Sequence, residues 1–307
     1  MNTLEALKFF RKKKRISQAN MLPGKDAKRY HRLESGQSKL DYEDLFTALN
    51  TLELSFKEFF GAIDMEENIP ILAIDNQYKN CLYTLDDSAG KKILLRYFHE
   101  LAAIKEKNTM ETALYNDIKV VYHPIWPEIP KIDTADIEHV LNIIKKKTYY
   151  TYYDYRMTVN PIIFFDTEKV QYILERMYPI ENQKNRDFTT VRIANLIYPN
   201  IITGQLYRNN LDQAAYYIQK AKEANVPYDD YHFHFNLHYL DNLTNYLITK
   251  ETKYLTKILQ EIELLEQFGN FELANGIKEE ATNLILGKDF YNLDEGIILN
   301  NLTETPD

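Results

Sequence analysis

Between Pro23-Gly24 and Gly36 the chain places Lys25, Lys28, Arg29 and Arg32, with His31 among them, inside eight positions. Cations at this density can do two kinds of chemistry. They neutralise phosphate oxygens without regard to sequence, and on a helix in a groove they donate to the O6 and N7 of guanine. Ala27 adds a small side chain that allows close approach or touches a thymine methyl. Upstream, Lys12–Arg15 supply sequence-blind attraction, while Ser17 and Gln18 offer backbone and side-chain donors suited to a phosphate oxygen.

Charge is unevenly spread. Residues 1–36 hold ten Lys/Arg against three acids, a net of +7, and the other 271 residues carry a net of −15. Such asymmetry reads as a polyanion-binding head joined to a body that avoids nucleic acid. Taken alone, the runs at 11–15 and 28–32 could be solvated faces, and His31 reads as a surface histidine.

The elements that would hold these residues favour duplex binding. A first helix sets Leu4, Leu7 and Phe10/Arg11 along one side. "RISQANML" gives a second, capped by Ser17, with Met21–Leu22 inward. After the Pro-Gly turn, a third helix runs from about Ala27 to Ser35, capped by Asp26 and ended by Gly36. It buries Tyr30 and Leu33 and turns Ala27, Lys28 and Arg32 outward, flanked by Arg29 and His31. "DYEDLFTALNTL" and "SFKEFFGAI" supply a fourth and a fifth. This is the helix-turn-helix order, whose third helix enters the major groove.

Composition excludes several classes. Nine glycines and ten prolines against 24 tyrosines leave too little turn punctuation for an all-β fold. No run approaches the length of a membrane-spanning helix, so no membrane partner is expected. The N-terminus has its charge after its apolar run, unlike a secretion signal, and a cytoplasmic location is expected. Cys81 is the only cysteine, which rules out an intrachain disulfide and reads as a small apolar side chain.

From "MEENIPILAI" onward nearly everything has helical period, and the domain boundary is placed near residue 66. Helices are expected at about 74–85, 88–106, 109–122, 133–147, 149–160, 167–178, 187–208, 210–225, 230–248, 251–268 and 271–287. "HPIWPEIP" at 123–130 is a loop that Trp126 pins. "ANLIYPNIITGQLYRNNLDQAAYYIQKAKEANVP" resembles a tetratricopeptide unit, with Gly204 and Ala214 small where its helices cross.

The first segment resembles the Xre/Cro-type helix-turn-helix family, most closely the Rgg/GadR/MutR regulators of the RRNPP superfamily. Arg11, "ISQ" at 16–18, "RLESG" at 32–36 and "DYEDLFTALNTLELSFKEFF" carry the likeness. Between Gln18 and Glu34 the chain is shorter than the family pattern. The resemblance implies an all-α fold: a five-helix, lambda-repressor-like domain at 1–65, then a right-handed TPR-like α-solenoid at 66–307 for sensing and dimerisation. It also implies an Arg11–Glu34 pair, Ala27, Lys28 and Arg32 at base edges with Gln18 at the backbone, a homodimer, and a short hydrophobic signalling peptide of a quorum-sensing circuit. Ser17, Lys25 and Arg29 complete the expected DNA-contact set by their chemistry and position.

Groove residues are suggested by chemistry. Asn236, Tyr239, Asn242 and Asn245 form a stripe, and carboxamides can bind the N–H and C=O of an extended peptide together. Asn195, Tyr198 and Arg208 stand on the preceding inner helix, and Tyr152, Arg156 and Arg192 complete the set, an arginine suiting a terminal carboxylate. Asparagine and tyrosine also fill solvent or core positions for no functional reason.

His232, His234 and His238 lack a third ligand at motif spacing, and no phosphate loop or nucleophile motif occurs, so no metal, cofactor or catalytic residue is expected. The acid pairs Asp86-Asp87 and Glu279-Glu280 read as caps or exposed faces. The expectation is a cytoplasmic regulator that binds double-stranded DNA and a peptide. The alternatives are a regulator whose repeat domain docks a protein or only dimerises, and a phosphatase of the kind found among relatives of that superfamily.

Overall fold

Side-chain caps start most helices of the protein, whose computed structural model describes residues 1–63, 70–85, 87–224 and 226–287. In α1 (Thr3–Lys13) the Asn2 carboxamide accepts the Glu5 N–H at 3.0 Å, and Glu5 accepts the Asn2 N–H at 2.9 Å. A single 3-10 turn, Gln18–Asn20, precedes α2 (Arg29–Glu34), α3 (Tyr42–Leu52, capped by Asp41) and α4 (Phe56–Gly61, capped by Ser55). Leu7, Met21, Leu22, Tyr30, Leu33, Leu49, Leu52 and Phe59 form the core of this N-terminal unit.

Two expected helices are shorter here. The second is reduced to the 3-10 turn, and the Ser17 side chain makes no capping bond. Pro23 explains this, because the residue before a proline is driven out of helical conformation. The third begins at Arg29 rather than Ala27. Asp26 draws the Lys28 N–H to its side chain at 3.1 Å and the Arg29 N–H to its carbonyl at 2.7 Å, so Ala27 and Lys28 occupy the turn ahead of the helix. Gly36, at φ +73°, lets the Gln37 N–H close back on the Arg32 carbonyl.

The chain divides into two compact units between Asn76 and Gln77, within α5 (Pro70–Tyr83). The boundary expected near residue 66 lies outside the described residues, as does Asp86. The second unit continues with α6 (Ser88–Ala103), α7 (Thr109–Tyr122), α8 (Thr134–Lys145), α9 (Tyr152–Val159) and α10 (Thr167–Met177). Then come α11 (Phe188–Asn195), α12 (Ile197–Tyr207), α13 (Leu211–Glu223), α14 (Tyr231–Thr249), α15 (Thr252–Gln267) and α16 (Phe271–Ile285). From α12 to α16 each helix packs on the next, a TPR-like stack with no strand among the described residues. Trp126 is buried on Tyr122, with ring centroids 4.2 Å apart, and so holds the proline-rich loop.

The helix expected over 187–208 is two helices, broken at Leu196. Pro199 has no N–H for the Asn195 carbonyl, and its ring crowds that carbonyl, so α12 must start afresh. Gly204 is needed for a different neighbour than expected. A Cβ there would meet the Ile163 carbonyl oxygen at 2.9 Å, so it is the backbone of the 3-10 turn Pro161–Phe164, not α13, that approaches closely.

A second repeat, absent from the sequence reading, emerges at the turns. Between α12 and α13 Asn209 has φ +57°, and the Asn210 N–H donates to the Gln205 carbonyl at 2.9 Å. Between α15 and α16 Gly269 has φ +78°, and the Asn270 N–H donates to the Leu265 carbonyl at 2.9 Å. Both are Schellman closures followed by a buried alanine, Ala214 or Ala274.

Candidate nucleic-acid interface and ligand cleft

The N-terminal cations divide into those the unit uses for itself and those it leaves outward. Arg11 donates from Nε at 3.0 Å and Nη2 at 2.8 Å to the two oxygens of Glu34, and from Nη1 at 3.0 Å to the Ile16 carbonyl. Burial pushes the Glu34 carboxyl up, but the Arg11 and Gln18 hydrogen bonds outweigh it and hold the group below its usual range. The Gln18 side chain thus faces Glu34, and its Oε1 lies 3.2 Å from the His31 Nδ1. The side chain expected at a phosphate is thus bonded within the unit.

Asp44 engages two more of the expected DNA-contact cations. This acid on α3 has no solvent exposure. Its carboxylate takes Lys25 Nζ at 2.9 Å and Arg29 Nε at 2.9 Å, and Arg29 also reaches Asp41 at 3.0 Å. A buried carboxylate must be compensated, and these two cations do it. Lys25 and Arg29 thus hold α3 through Asp44. Arg32 is paired too, but in the open, with Asp26 at 2.9 Å. Among the described residues Lys28 has no ion pair, and it stands exposed beside Ala27; Ser17 is exposed as well. Asp41 and Asp44 were missed as partners because their contacts depend on tertiary approach. Only the capping role of Asp26 and the "DYED" cap could be read locally.

In the second unit, a cleft of about 820 Å³ opens between α10 and α13. Gln171, Glu175, Gln213 and Lys220 stand on its walls, and Leu174, Tyr178, Asn195, Tyr198 and Tyr217 line it more deeply. The Tyr178 hydroxyl donates to the Ala194 carbonyl, and its ring meets Tyr198 edge-on at 6.0 Å. Burial pushes the Tyr198 phenol up. Along α13 the lining runs from Gln213 to Ala224, about 16 Å at 1.5 Å per residue. That matches about five residues of extended chain. Carboxamides on the walls can bind a main chain on both its donor and acceptor sides, and the tyrosines form apolar pockets with polar tips.

Of the expected groove residues only Asn195 and Tyr198 line this cleft. Asn236, Tyr239 and Asn242 are buried, because α14 has helices on more than one side. The Asn242 amide donates to the His238 carbonyl at 2.9 Å and lies 3.4 Å from Glu261 of α15, and Tyr239 faces Glu280 of α16. Asn245 is bonded to Asp241 at 2.7 and 3.0 Å, and Asn236 lies against His232. Arg156 is buried and donates to buried Asp117 at 2.6 Å. Arg208 donates to the carbonyls of Gly204 and Ile163. Tyr152 packs edge-on against Tyr153, and Arg192 is half-buried on α11. His234 and His238 go to the Pro227 carbonyl and Glu261. Glu280, expected on an exposed face, is largely withdrawn into the α14–α16 contact.

The architecture is that of solved, all-helical peptide-pheromone receptors. PrgX in its complex with cCF10 matches at a TM-score of 0.73 and 18% identity, over 94% of each chain. The SHP pheromone receptor Rgg2 of Streptococcus dysgalactiae matches at 0.68 and 14% identity, over 92% of this chain and 99% of that one. A bacterial peptide pheromone–receptor complex, solved with its mechanism of gene regulation, matches at 0.71 and 18% identity, over 92% and 98%. At such identities the likeness is one of fold. No protein-family model and no curated protein sequence matches the chain. Among the described residues no helix is long and apolar enough to cross a membrane.

Proposed function

We propose that this protein is a DNA-binding transcription regulator whose second unit takes a short, extended, largely apolar peptide in the α10–α13 cleft. The observation that carries the reading is the cleft itself: tyrosines and carboxamides line a trough about five residues long, in a chain headed by a cationic helix-turn-helix. The shared fold with receptors solved in complex with peptide pheromones supports it.

In this reading Lys28 and Arg32 approach base edges, and Lys12–Arg15 add attraction to phosphate. The chain works as a homodimer on paired half-sites. Peptide shifts the balance between two arrangements of the helical stack, and does so only as far as it prefers one of them.

The test is binding of the full chain to a labelled random-sequence duplex across a salt series, with and without members of a synthetic library of short apolar peptides. Binding should weaken linearly on a log–log plot as salt rises, and one set of peptides should alter it in wild type but not in Tyr198→Ala. A duplex held equally in dilute and concentrated salt sinks the DNA half. A peptide response that survives Tyr198→Ala moves the ligand out of this cleft.

A further inference from the structure

Resting on the DNA-binding reading, we propose that Asp26 is a positioning residue for sequence discrimination: it holds the Arg32 guanidinium so that this cation serves a G·C pair and is withheld from phosphate. One carboxylate is fastened at both oxygens. Oδ1 accepts the Lys28 N–H at 3.1 Å, and Oδ2 accepts Arg32 Nη2 at 2.9 Å. The pair stands in solvent, with side-chain exposures of 57% and 43%, on the side of α2 opposite buried Tyr30 and Leu33.

The two kinds of acid in this unit have different consequences. Asp44 is fully buried, so its hold on Lys25 and Arg29 belongs to the fold. The Asp26–Arg32 pair is exposed, and exposed pairs separate easily. What decides is where each member goes next. On a backbone phosphate Arg32 is satisfied, but the Asp26 charge is stranded beside other phosphates. On a G·C pair both members gain, because arginine donates to guanine O6 and N7 while a carboxylate accepts from the cytosine N4 amino group. As a neutral pair they also release no counterion of their own at a random site. Discrimination is thus built from an acid at the groove face, at the expense of general affinity.

Asp26→Asn separates the roles, since the amide keeps an oxygen for the Lys28 N–H but loses the charge. Three full-length chains are compared: wild type, Asp26→Asn, and Asp26→Asn with Arg32→Ala. Each is titrated onto a random-sequence duplex and onto the best duplex that wild type enriches from a random pool. Asp26→Asn should hold the random duplex several-fold more tightly, with a log K against log salt slope steeper by about 0.9, one extra phosphate contact. Its preference for the enriched duplex should fall. Adding Arg32→Ala should cancel the gain on random DNA. A damaged fold would lower binding rather than raise it, so the direction of change is diagnostic. An Asp26→Asn chain with the wild-type slope and affinity overturns the proposal, as does a gain that persists without Arg32. If wild type itself holds no duplex in dilute salt, it is the DNA-binding reading that fails, and Asp26 falls with it.

Discussion

Arg29 donates from Nε to Asp44 at 2.9 Å, across fifteen residues of sequence, and the acid it meets is sealed from solvent. A cation on α2 is thereby committed to tying α2 to α3. Replacing Asp44 by Ala should lower the stability of the N-terminal unit by about 2 kcal/mol, less than for a fully buried pair because Lys25 and Arg29 keep access to water. Arg29→Ala should likewise lower the melting temperature, and it should leave base preference intact. A relaxed preference at one base position in Arg29→Ala would return that residue to the groove.

Asp44 also fixes a pH dependence. Burial pushes its carboxyl up, but the hydrogen bonds from Arg29 and Lys25 outweigh this and hold it below the usual carboxylate range. A lowered folded-state value means the stabilisation is complete above the ordinary value and is lost as pH falls through the lowered one. The melting-temperature gap between wild type and Asp44→Asn should therefore be constant near neutrality and shrink below about pH 4. A gap that widens in acid would contradict the pairing.

Glu34 closes the helix-turn-helix from the other side. Its side chain is 5% exposed and accepts both Arg11 bonds. Glu34→Ala strands a guanidinium and should cost about 1–3 kcal/mol, read as a lower denaturation midpoint of the first unit in the full chain. Arg11→Ala with Glu34→Ala should cost less than the two single losses together.

Much of this could be read along the chain. The helix 109–122 has the expected bounds, and Tyr30, Leu33, Leu49 and Leu52 sit inward, because period and caps are local signals. The asparagine stripe proved buried for a tertiary reason. The asparagine stripe of α14 has the right spacing for an open wall, but α15 and α16 cover it with Glu261 and Glu280. The cleft wall on α13 reads as an ordinary exposed face, Gln213, Tyr216 and Lys220. The second repeat was hidden because Asn209 and Gly269 do the same left-handed job with different residues.

Base reading and phosphate attraction should separate by position. Lys28→Ala should reduce discrimination by about 1–3 kcal/mol at one base position. Lys12→Ala should weaken every duplex alike and flatten the salt slope by about 0.9. Equal effects of the two variants on every duplex would leave Lys28 a phosphate contact.

In the cleft, Tyr198→Ala and Gln213→Ala should abolish the peptide response while DNA affinity stays at wild type. Asn242→Ala removes a carboxamide bonded to the His238 carbonyl, so it should lower the melting temperature and preserve the response. The reverse pattern, a stable Asn242→Ala chain that no longer responds, would put the ligand on α14 instead.

Glu280 offers a test of the α14–α16 contact that needs no ligand. Burial pushes its carboxyl up to about 7, with the facing Tyr239 hydroxyl offsetting part of the rise. Folding therefore takes up a proton between the ordinary glutamate value and about 7. Stability from this group falls as pH rises through that window and stays low above it. Glu280→Gln has nothing to ionise. It should match wild type near pH 4 and exceed it at mildly alkaline pH by about 1–3 kcal/mol, towards the lower figure because Glu280 keeps partial solvent exposure. Parallel stability curves for the two chains across that range would mean the Glu280 carboxylate is solvated and the contact looser than described.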